Sequence, residues 1–186
     1  MPSSGRQKSD LNLSALLEGL LRSGVDFILV GGLAAVVQGA PVVTMDVDIV
    51  PDPSSENVDK LLGFLRSVGA FHRRLDEKII EPRKRDISGK GHALFSTRLG
   101  PIDVLGSIEE RKTYSDLLEH SIDIEFKGHT MKVLDLKVMI ELKKKSSDPR
   151  DKQRLPVLEE TLRQLQEAIG PGSRVDRTRD RGKNDE

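Results

Sequence analysis

The chain has 186 residues, no cysteine, and equal numbers of basic and acidic residues, 30 of each. This length predicts a single domain that folds without disulfides or a structural metal, and the missing cysteines exclude a thiolate metal site. The balanced charge excludes a global field that would draw the protein onto nucleic acid or an anionic membrane. We expect a cytoplasmic protein without a membrane partner, because the first ten residues lack the apolar centre of a signal peptide and the apolar runs are too short to span a bilayer.

Helices and strands alternate in the first part of the chain. The leucines of "LSALLEGLLR" recur at helical spacing and predict a helix that ends at Gly24. "VDFILV" predicts a strand that runs into Gly31 and Gly32, and "LAAVVQG" predicts the helix after it. A second strand is predicted in "VVTMDVDIV", and the turn "PDPSS" separates it from the amphipathic helix "ENVDKLLGFLRSVG".

Two hairpins and two helices are predicted in the second part. Residues 70–91 are highly charged, and we expect a strand and a long loop there. "HALFSTRL" and "IDVLGSI" predict a hairpin around Gly100, and "IDIEFKGHTMKVL" predicts another around Gly128. "LDLKVMIELKKK" and "KQRLPVLEETLRQLQEAI" predict two closing helices, the second weakened at its start by Pro156.

The order of these elements predicts an α/β (α+β) fold in which helices flank a small mixed β-sheet and two C-terminal helices close the domain. We expect this domain to cover residues 11–169, after a flexible N-terminus of residues 1–10. Residues 170–186 contain one apolar residue among many charges, which is too little burial to offset the entropy of ordering them. We therefore predict a disordered, charged tail.

Two carboxylates, Asp46 and Asp48, lie in the second predicted strand. Alternation along a strand would point both to the same face, about 6.5 to 7 Å apart. At a dielectric typical of a protein surface, their repulsion would cost roughly 2 to 3 kcal/mol. This strand contains no basic residue, whereas Mg²⁺ favours a few carboxylates together with water and substrate phosphates. The pattern predicts a Mg²⁺ site; the alternative is a solvated face of an edge strand.

The glycines before these acids indicate a phosphate site. A helix that starts near Gly32 directs its free N–H groups and its positive dipole end at the turn, although Gly31 and Gly32 could also form a turn that only needs a positive φ. With the acids, they describe a metal-bound triphosphate. Asp103 interrupts an apolar strand in the same way, and it is the candidate for the third carboxylate of a two-metal phosphoryl-transfer site. Its alternative is an acid beside a hairpin turn.

These features resemble the nucleotidyltransferase superfamily that shares its fold with DNA polymerase beta. The pattern of that superfamily is an apolar residue, Gly-Gly or Gly-Ser, a short helix, Asp-x-Asp, and a third acid on a later strand. The residues that match it are Gly31, Gly32, Asp46, Asp48 and Asp103. The stretch "GAPVVTMDVD" is most similar to a small bacterial subgroup that includes abortive-infection toxins of toxin–antitoxin pairs. The resemblance covers residues 25–169.

The resemblance implies specific roles. The implied catalytic and metal-binding residues are Asp46, Asp48 and Asp103. The implied nucleotide-binding residues are Gly31, Gly32, Thr44 and Lys143. Lys143 lies on a helix that is followed by a Pro-containing turn and by Asp151, which could cap the last helix. The alternative for Lys143 is a lysine cluster that only interacts with the helix dipole.

The predicted function is Mg²⁺-dependent transfer of a nucleoside monophosphate from a nucleoside triphosphate to a hydroxyl of RNA, such as a tRNA end, or of a protein. The subgroup also implies a toxin–antitoxin role with a cognate antitoxin as partner. Arginine is common in the subgroup where this chain has Val42 and Asp148, which motivates an alternative: a catalytically silent nucleotide-binding or protein-pair module of the same fold. A third hypothesis is an RNA-binding domain that uses the basic loop of residues 73–90.

Overall fold

The computed structural model describes residues 11–76 and 78–169. The helices are α1 (Leu13–Arg22), α2 (Gly31–Val37), α3 (Ser55–Ser67), α4 (Lys84–Ile87), α5 (Tyr114–Leu118), α6 (Leu136–Lys145) and α7 (Pro149–Ile169), with a 3-10 turn at Glu109–Arg111. The strands are β1 (Phe27–Val30), β2 (Val47–Pro51), β3 (Phe71–His72), β4 (His92–Thr97), β5 (Gly100–Leu105), β6 (Ser121–Phe126) and β7 (His129–Leu134). The predictions for residues 1–10 and 170–186 lie outside the described residues. Among the helices of the described ranges, none has the length and apolar character needed to cross a bilayer.

All seven strands form one mixed sheet in the order β3-β4-β5-β2-β1-β7-β6. Strand β2 pairs antiparallel with β1 and parallel with β5, and β1 pairs parallel with β7. Both predicted hairpins are present, as β4 with β5 and as β6 with β7. Helices flank the sheet, and α6 and α7 close the domain, so the predicted fold class is confirmed.

The core forms where the apolar faces of α1 and α3 meet the sheet. Leu16 and Leu20 of α1, which are one helical turn apart, are fully buried. Leu61 and Leu65 give α3 the same arrangement. In β1, which lies beside the central strand β2, all four residues are buried, so both of its faces are covered. The backbone that leads into Gly31 is therefore packed on both sides.

The second strand is shorter than predicted. It begins at Val47, so Asp46 lies just before the strand and residues 42–46 are not part of the sheet. The reason is the neighbour: Val47 pairs with Ile102 of β5, and one step earlier β5 offers Pro101, which has no backbone N–H for a ladder hydrogen bond. The sequence also missed the short helix α5, whose start is fixed by a capping box of Thr113 and Asp116.

A buried amide joins the entrance of β1 to the exit of β2. Asn57 on α3 is 2% exposed. Its Oδ1 accepts a hydrogen bond from the backbone N–H of Asp26 at 2.7 Å, and its Nδ2 donates to the carbonyl oxygens of Asp26 and Asp52 at 2.8 and 2.9 Å. Asn57 thus holds the start of β1 and the end of β2, which lie side by side in the antiparallel pair, against the first turn of α3.

Replacing this amide should cost substantial stability. Asn57→Ala removes three hydrogen bonds to the backbone, although the carbonyl oxygen of Asp26 keeps its bond from the N–H of Asp52. We expect the free energy of unfolding to fall by about 2 to 4 kcal/mol in urea denaturation. The matched control is Asn12→Ala, because the exposed Asn12 side chain caps α1 through one hydrogen bond to the N–H of Ala15, and its loss should cost about 1 kcal/mol. Equal losses for the two variants would contradict the role given to Asn57.

Candidate functional site

Three acidic side chains meet at the middle of the sheet. Asp48 of β2 and Asp103 of β5 are register partners in a parallel pair, so both side chains point to the same face of the sheet. Asp46 approaches them from the segment just before β2. One carboxylate oxygen from each of the three residues lies within 4.8 Å of the other two. The acids that the sequence singles out therefore form one partly buried cluster.

The cluster is electrostatically unfavourable in the absence of a cation. Burial, together with the negative charges of Asp46 and Asp103, raises the pKa of Asp48 to about 7, against the opposing charges of Lys143 and Arg73. Burial also raises the pKa of Asp103. Because carboxylate oxygens are the ligands that Mg²⁺ prefers, this crowded set of three acids fits a divalent cation better than it fits solvent.

Gly31 makes room for the central carboxylate. Its φ is +68°, and a Cβ atom at this position would lie 2.0 Å from Oδ2 of Asp48. Gly31 therefore forms the positive-φ turn that was the alternative interpretation of the glycine pair. In addition, a larger residue would push the Asp48 side chain out of the cluster. Close approach between the start of α2 and β2 is therefore possible only with glycine here.

Gly32 and Thr44 support the first acid. A Cβ on Gly32 would lie 2.7 Å from Oγ1 of Thr44. That hydroxyl donates a hydrogen bond to Oδ1 of Asp46 at 3.1 Å. The start of α2 thus packs against Thr44, and Thr44 orients Asp46. This hydrogen bond fixes the Asp46 side chain even though the residue lies outside β2. Gly31 and Thr44 therefore contact the acids directly, and Gly32 contacts Thr44.

Lys143 lies beside the cluster and is held by an ion pair. Its Nζ is 2.5 Å from Oδ1 of Asp151, and the two side chains are 13% and 16% exposed. Burial raises the pKa of Asp151, but hydrogen bonds from Lys143 and Ser146 outweigh this effect and hold the pKa below its usual value. The expectation that Asp151 caps the last helix is wrong. Since α7 begins at Pro149, Asp151 lies inside the first turn, and Asp148 accepts the hydrogen bond from the N–H of Arg150 instead.

A cavity of about 170 Å³ opens next to the acids. Gly31, Asp48, Glu109 and Lys143 form its polar side. Its apolar wall consists of Val30, Leu105, Ile108, Leu134, Met139 and Leu142. These residues come from β1, β5, β7, α6 and the segment after β5, and no local sequence pattern indicates that they share a pocket. The cavity is large enough for part of a small ligand whose charged end lies at Asp48 and Lys143.

Sequence reasoning missed Arg73, the first residue after β3. Its Nη2 donates to Oδ1 of Asp103, and the side chains are 37% and 14% exposed. Arg73 belongs to the charged run that we interpreted as a solvated loop or an RNA contact. The pairing of β3 with β4, and of β4 with β5, is what brings this end of the loop to the acids.

The ion pair of Lys143 should contribute measurably to stability. Lys143→Met leaves Asp151 partly buried without its partner, and we expect the free energy of unfolding to fall by about 2 to 4 kcal/mol in urea denaturation. Lys144→Met is the matched control, because Lys144 pairs with Glu159 at 2.7 Å but the two side chains are 55% and 46% exposed. Such an exposed pair contributes about 1 kcal/mol or less. A loss no greater at Lys143 than at Lys144 would show that the pair does not brace α6 against α7.

Comparison with known proteins identifies the fold. No family model matches the chain, and no curated protein matches its sequence. Among solved structures, the lincomycin-bound lincosamide antibiotic adenylyltransferase LnuA has a TM-score of 0.53 at 12% identity, over 80% of this chain and 95% of its own. The chain therefore has the nucleotidyltransferase fold, and the superfamily resemblance predicted from the sequence is confirmed at the level of the fold.

Two further structures align at lower scores. A protein from Thermotoga maritima that is assigned as a nucleotidyltransferase (TM1012) aligns over 83% of this chain and 91% of its own, with 17% identity and a TM-score of 0.45. The solution structure of the antibiotic-resistance factor ANT(2'')-Ia aligns over 84% of this chain and 90% of its own, with 11% identity and a TM-score of 0.48. The toxin–antitoxin subgroup stays a prediction.

Proposed function

We propose that this chain, which has the nucleotidyltransferase fold, transfers a nucleoside monophosphate from a nucleoside triphosphate to an acceptor hydroxyl. The observation that carries the proposal is the cluster of Asp46, Asp48 and Asp103 beside a cavity that also contains Lys143. The fold alone would not assign an activity, because one fold hosts many functions. The site adds the acidic side chains and the positively charged lysine that phosphoryl transfer requires.

Asp46, Asp48 and Asp103 would hold Mg²⁺. Their fit rests on the chemistry of the donors, three carboxylates within 4.8 Å of one another, and on the pKa of Asp48, which is raised to about 7 by burial and by the two neighbouring acids. Bound there, Mg²⁺ would neutralise the negative charge of the triphosphate and of the transition state. An isolated surface cluster of acids would lack the burial that makes the metal-free state costly.

In the proposed reaction, the acceptor hydroxyl oxygen attacks the α-phosphorus of the nucleotide. A new P–O bond forms while the bond to the β-phosphate oxygen breaks, and pyrophosphate leaves with that electron pair. Asp103 takes the proton of the hydroxyl, and burial, which raises its pKa, makes it a better base than a solvated aspartate. Lys143 would bind the triphosphate from the cavity side. Positioning and charge neutralisation supply most of the rate enhancement.

We retain Gly31, Gly32 and Thr44 as nucleotide-binding residues in this proposal. Gly31 begins α2 directly beside Asp48, so phosphates drawn to the acids would lie against the free N–H groups of this turn. The apolar wall of the cavity would then surround the base. The contacts of Gly31 with Asp48 and of Thr44 with Asp46 are compatible with this role, since the same backbone would position both the acids and the phosphates.

The acceptor is a hydroxyl of one of three classes. Two of them are the acceptors predicted above, RNA, such as a tRNA end, or a protein, and a cognate antitoxin is a further predicted partner. The name of LnuA, a lincosamide antibiotic adenylyltransferase, adds a small-molecule hydroxyl. A catalytically silent nucleotide-binding module remains the alternative, and it differs from the enzyme in forming no product with any acceptor.

The proposal is tested by offering the protein each of the four α-labelled nucleoside triphosphates with Mg²⁺. Acceptors are a tRNA mixture, a protein extract and a lincosamide antibiotic. We expect label to move to one acceptor class with release of one pyrophosphate per transfer, and both signals to disappear in EDTA. Nucleotide binding without label transfer or pyrophosphate release in all arms would contradict the enzyme and support the silent module.

A further inference from the structure

We propose that Arg73 is a positioning residue that neutralises Asp103 while no metal is bound and is displaced from it by the divalent cation. The inference rests on the proposed function, because it concerns the same cluster of acids. It starts from the ion pair between the Arg73 guanidinium and Oδ1 of Asp103. Asp103 is one of the three carboxylates whose oxygens converge, so the guanidinium and a metal ion would claim the same side chain.

The backbone fixes where Arg73 can reach. The residue directly follows β3, and its N–H donates to the carbonyl oxygen of Leu94 in β4 at 2.8 Å. Leu94 is in turn the register partner of Asp103 in β5. Arg73, Leu94 and Asp103 therefore lie in one row across the sheet. Because strands are about 4.8 Å apart, the long arginine side chain has to cross only one strand to reach the acid.

The residues on either side of Arg73 are bound to other partners. On one side, the N–H of His72 donates to the carbonyl oxygen of Ile80 at 2.8 Å, and the ring of His72 contacts Asp86 at 3.0 Å. On the other side, Arg74 donates to both carboxylate oxygens of Asp76 at 2.8 Å. Of the two consecutive arginines, Arg73 is therefore the one that reaches the acids, and its backbone hydrogen bond to Leu94 keeps it in place.

Among the basic side chains in the described part of the chain, Arg73 is the one that forms an ion pair with an acid of the cluster. Lys143 lies on the opposite side, next to Asp48, but it is already engaged by Asp151. Within the described ranges, Arg73 has an ion pair with Asp103 and with no other acid. A divalent cation held by Asp103 would stand beside a guanidinium of like charge, and that repulsion is strong at such distances. With 37% of its side chain exposed, Arg73 can turn into solvent at little cost.

Removing Arg73 should therefore strengthen metal binding. We would measure the affinity of the full chain for Mn²⁺ alone by electron paramagnetic resonance. Arg73→Ala should bind about tenfold more tightly than the wild type, which corresponds to about 1.4 kcal/mol. Arg73→Lys keeps the charge and should stay near the wild type. Arg74→Ala, the matched control from the same loop, should leave the affinity unchanged.

Thermal unfolding separates this role from a purely structural one. In EDTA, Arg73→Ala should have a lower Tm than the wild type, because three acids then repel one another without the guanidinium. Saturating Mg²⁺ should remove that difference. A Tm that is lowered equally with and without Mg²⁺ would identify Arg73 as a brace of the loop and overturn the inference. Should Arg73→Ala fail to fold, Arg73→Gln tests the same point with a side chain of similar length.

The outcomes distinguish this inference from the proposed function. If the wild type binds Mn²⁺ and Arg73→Ala binds it equally or more weakly, the inference on Arg73 is wrong while the metal site stands. If neither protein binds Mn²⁺, both are wrong. If Arg73→Ala binds Mn²⁺ and the wild type does not, the guanidinium blocks the site and the inference is supported.

Discussion

Asp48→Asn is expected to reduce nucleotidyl transfer by at least about a thousandfold while making the metal-free protein more stable at pH 8. The loss of activity follows from the position of Asp48, which belongs to the cluster with Asp46 and Asp103 and also lines the cavity. The gain in stability follows from the pKa of Asp48, which burial and the two neighbouring acids raise to about 7. A side chain without charge avoids that cost.

The pH dependence has a definite sign. The folded protein keeps a proton on Asp48 up to about pH 7, whereas the unfolded chain releases it near the ordinary value of 3.8. The folded state therefore binds more protons between these values, and ionisation of Asp48 lowers stability as the pH rises through this window. At pH 8 the Asn variant should be more stable by on the order of 2 to 4 kcal/mol, and the advantage should vanish by about pH 4.

The measurements are label transfer for activity and urea denaturation across pH 4 to 8, about the window above, for stability. Asp123→Asn is the control, because Asp123 forms an exposed pair with Lys132 on the distant β6 and β7 edge of the sheet. It should change neither quantity substantially. Transfer retained by Asp48→Asn, or a variant that is less stable than the wild type at pH 8, would show that Asp48 is not the crowded metal ligand described above.

Gly31→Ala is expected to lower transfer by about a hundredfold, because misplacing a catalytic group by about 1 Å can have an effect of this size. The new Cβ would lie 2.0 Å from Oδ2 and 2.8 Å from Cγ of Asp48, so the carboxylate must leave its place in the cluster. Stability should fall as well, by about 1 to 3 kcal/mol for the left-handed backbone alone.

Gly24 provides a control with the same backbone strain and no clash. Its φ is +65°, compared with +68° at Gly31, and a Cβ there would meet nothing within 4 Å. Gly24→Ala should therefore lose a similar strain energy and keep full transfer activity. If both variants keep transfer, the contact between Gly31 and Asp48 is not needed for the reaction. If both lose transfer, general destabilisation rather than the position of Asp48 explains the effect.

Local patterns in the sequence predicted the cluster because strand alternation decides which side chains share a face. Asp48 and Asp103 both interrupt apolar strands, and the parallel pairing of these strands then places the two residues side by side. Alternation failed for Asp46, which lies outside β2 and reaches the cluster through the hydrogen bond from Thr44. The spacing of the acids is visible in the sequence. The early limit of β2 is not, because it depends on Pro101 in the neighbouring strand β5.

Other parts of the site depend on strand order, which local patterns do not contain. Arg73 and Asp103 are thirty residues apart and meet only because β4 lies between β3 and β5. The contact of Gly31 with Asp48 likewise requires knowing that β1 and β2 are neighbours in antiparallel register. The position of Asp151 at the start of the last helix predicts a helix cap, whereas its partner in the structure, Lys143, lies on a different helix. Each of these side chains has a partner that its own sequence neighbourhood does not reveal.

The central claim is that Asp46, Asp48 and Asp103 together hold a divalent cation that joins the nucleotide to the protein. Its most direct test is the affinity of the wild type for nonhydrolysable analogues of the four nucleoside triphosphates, measured by calorimetry in Mn²⁺ and in EDTA. We expect at least one analogue to bind at least about tenfold more tightly with Mn²⁺, and Asp48→Asn to abolish that difference. Equal affinity in Mn²⁺ and in EDTA for every analogue would contradict the claim.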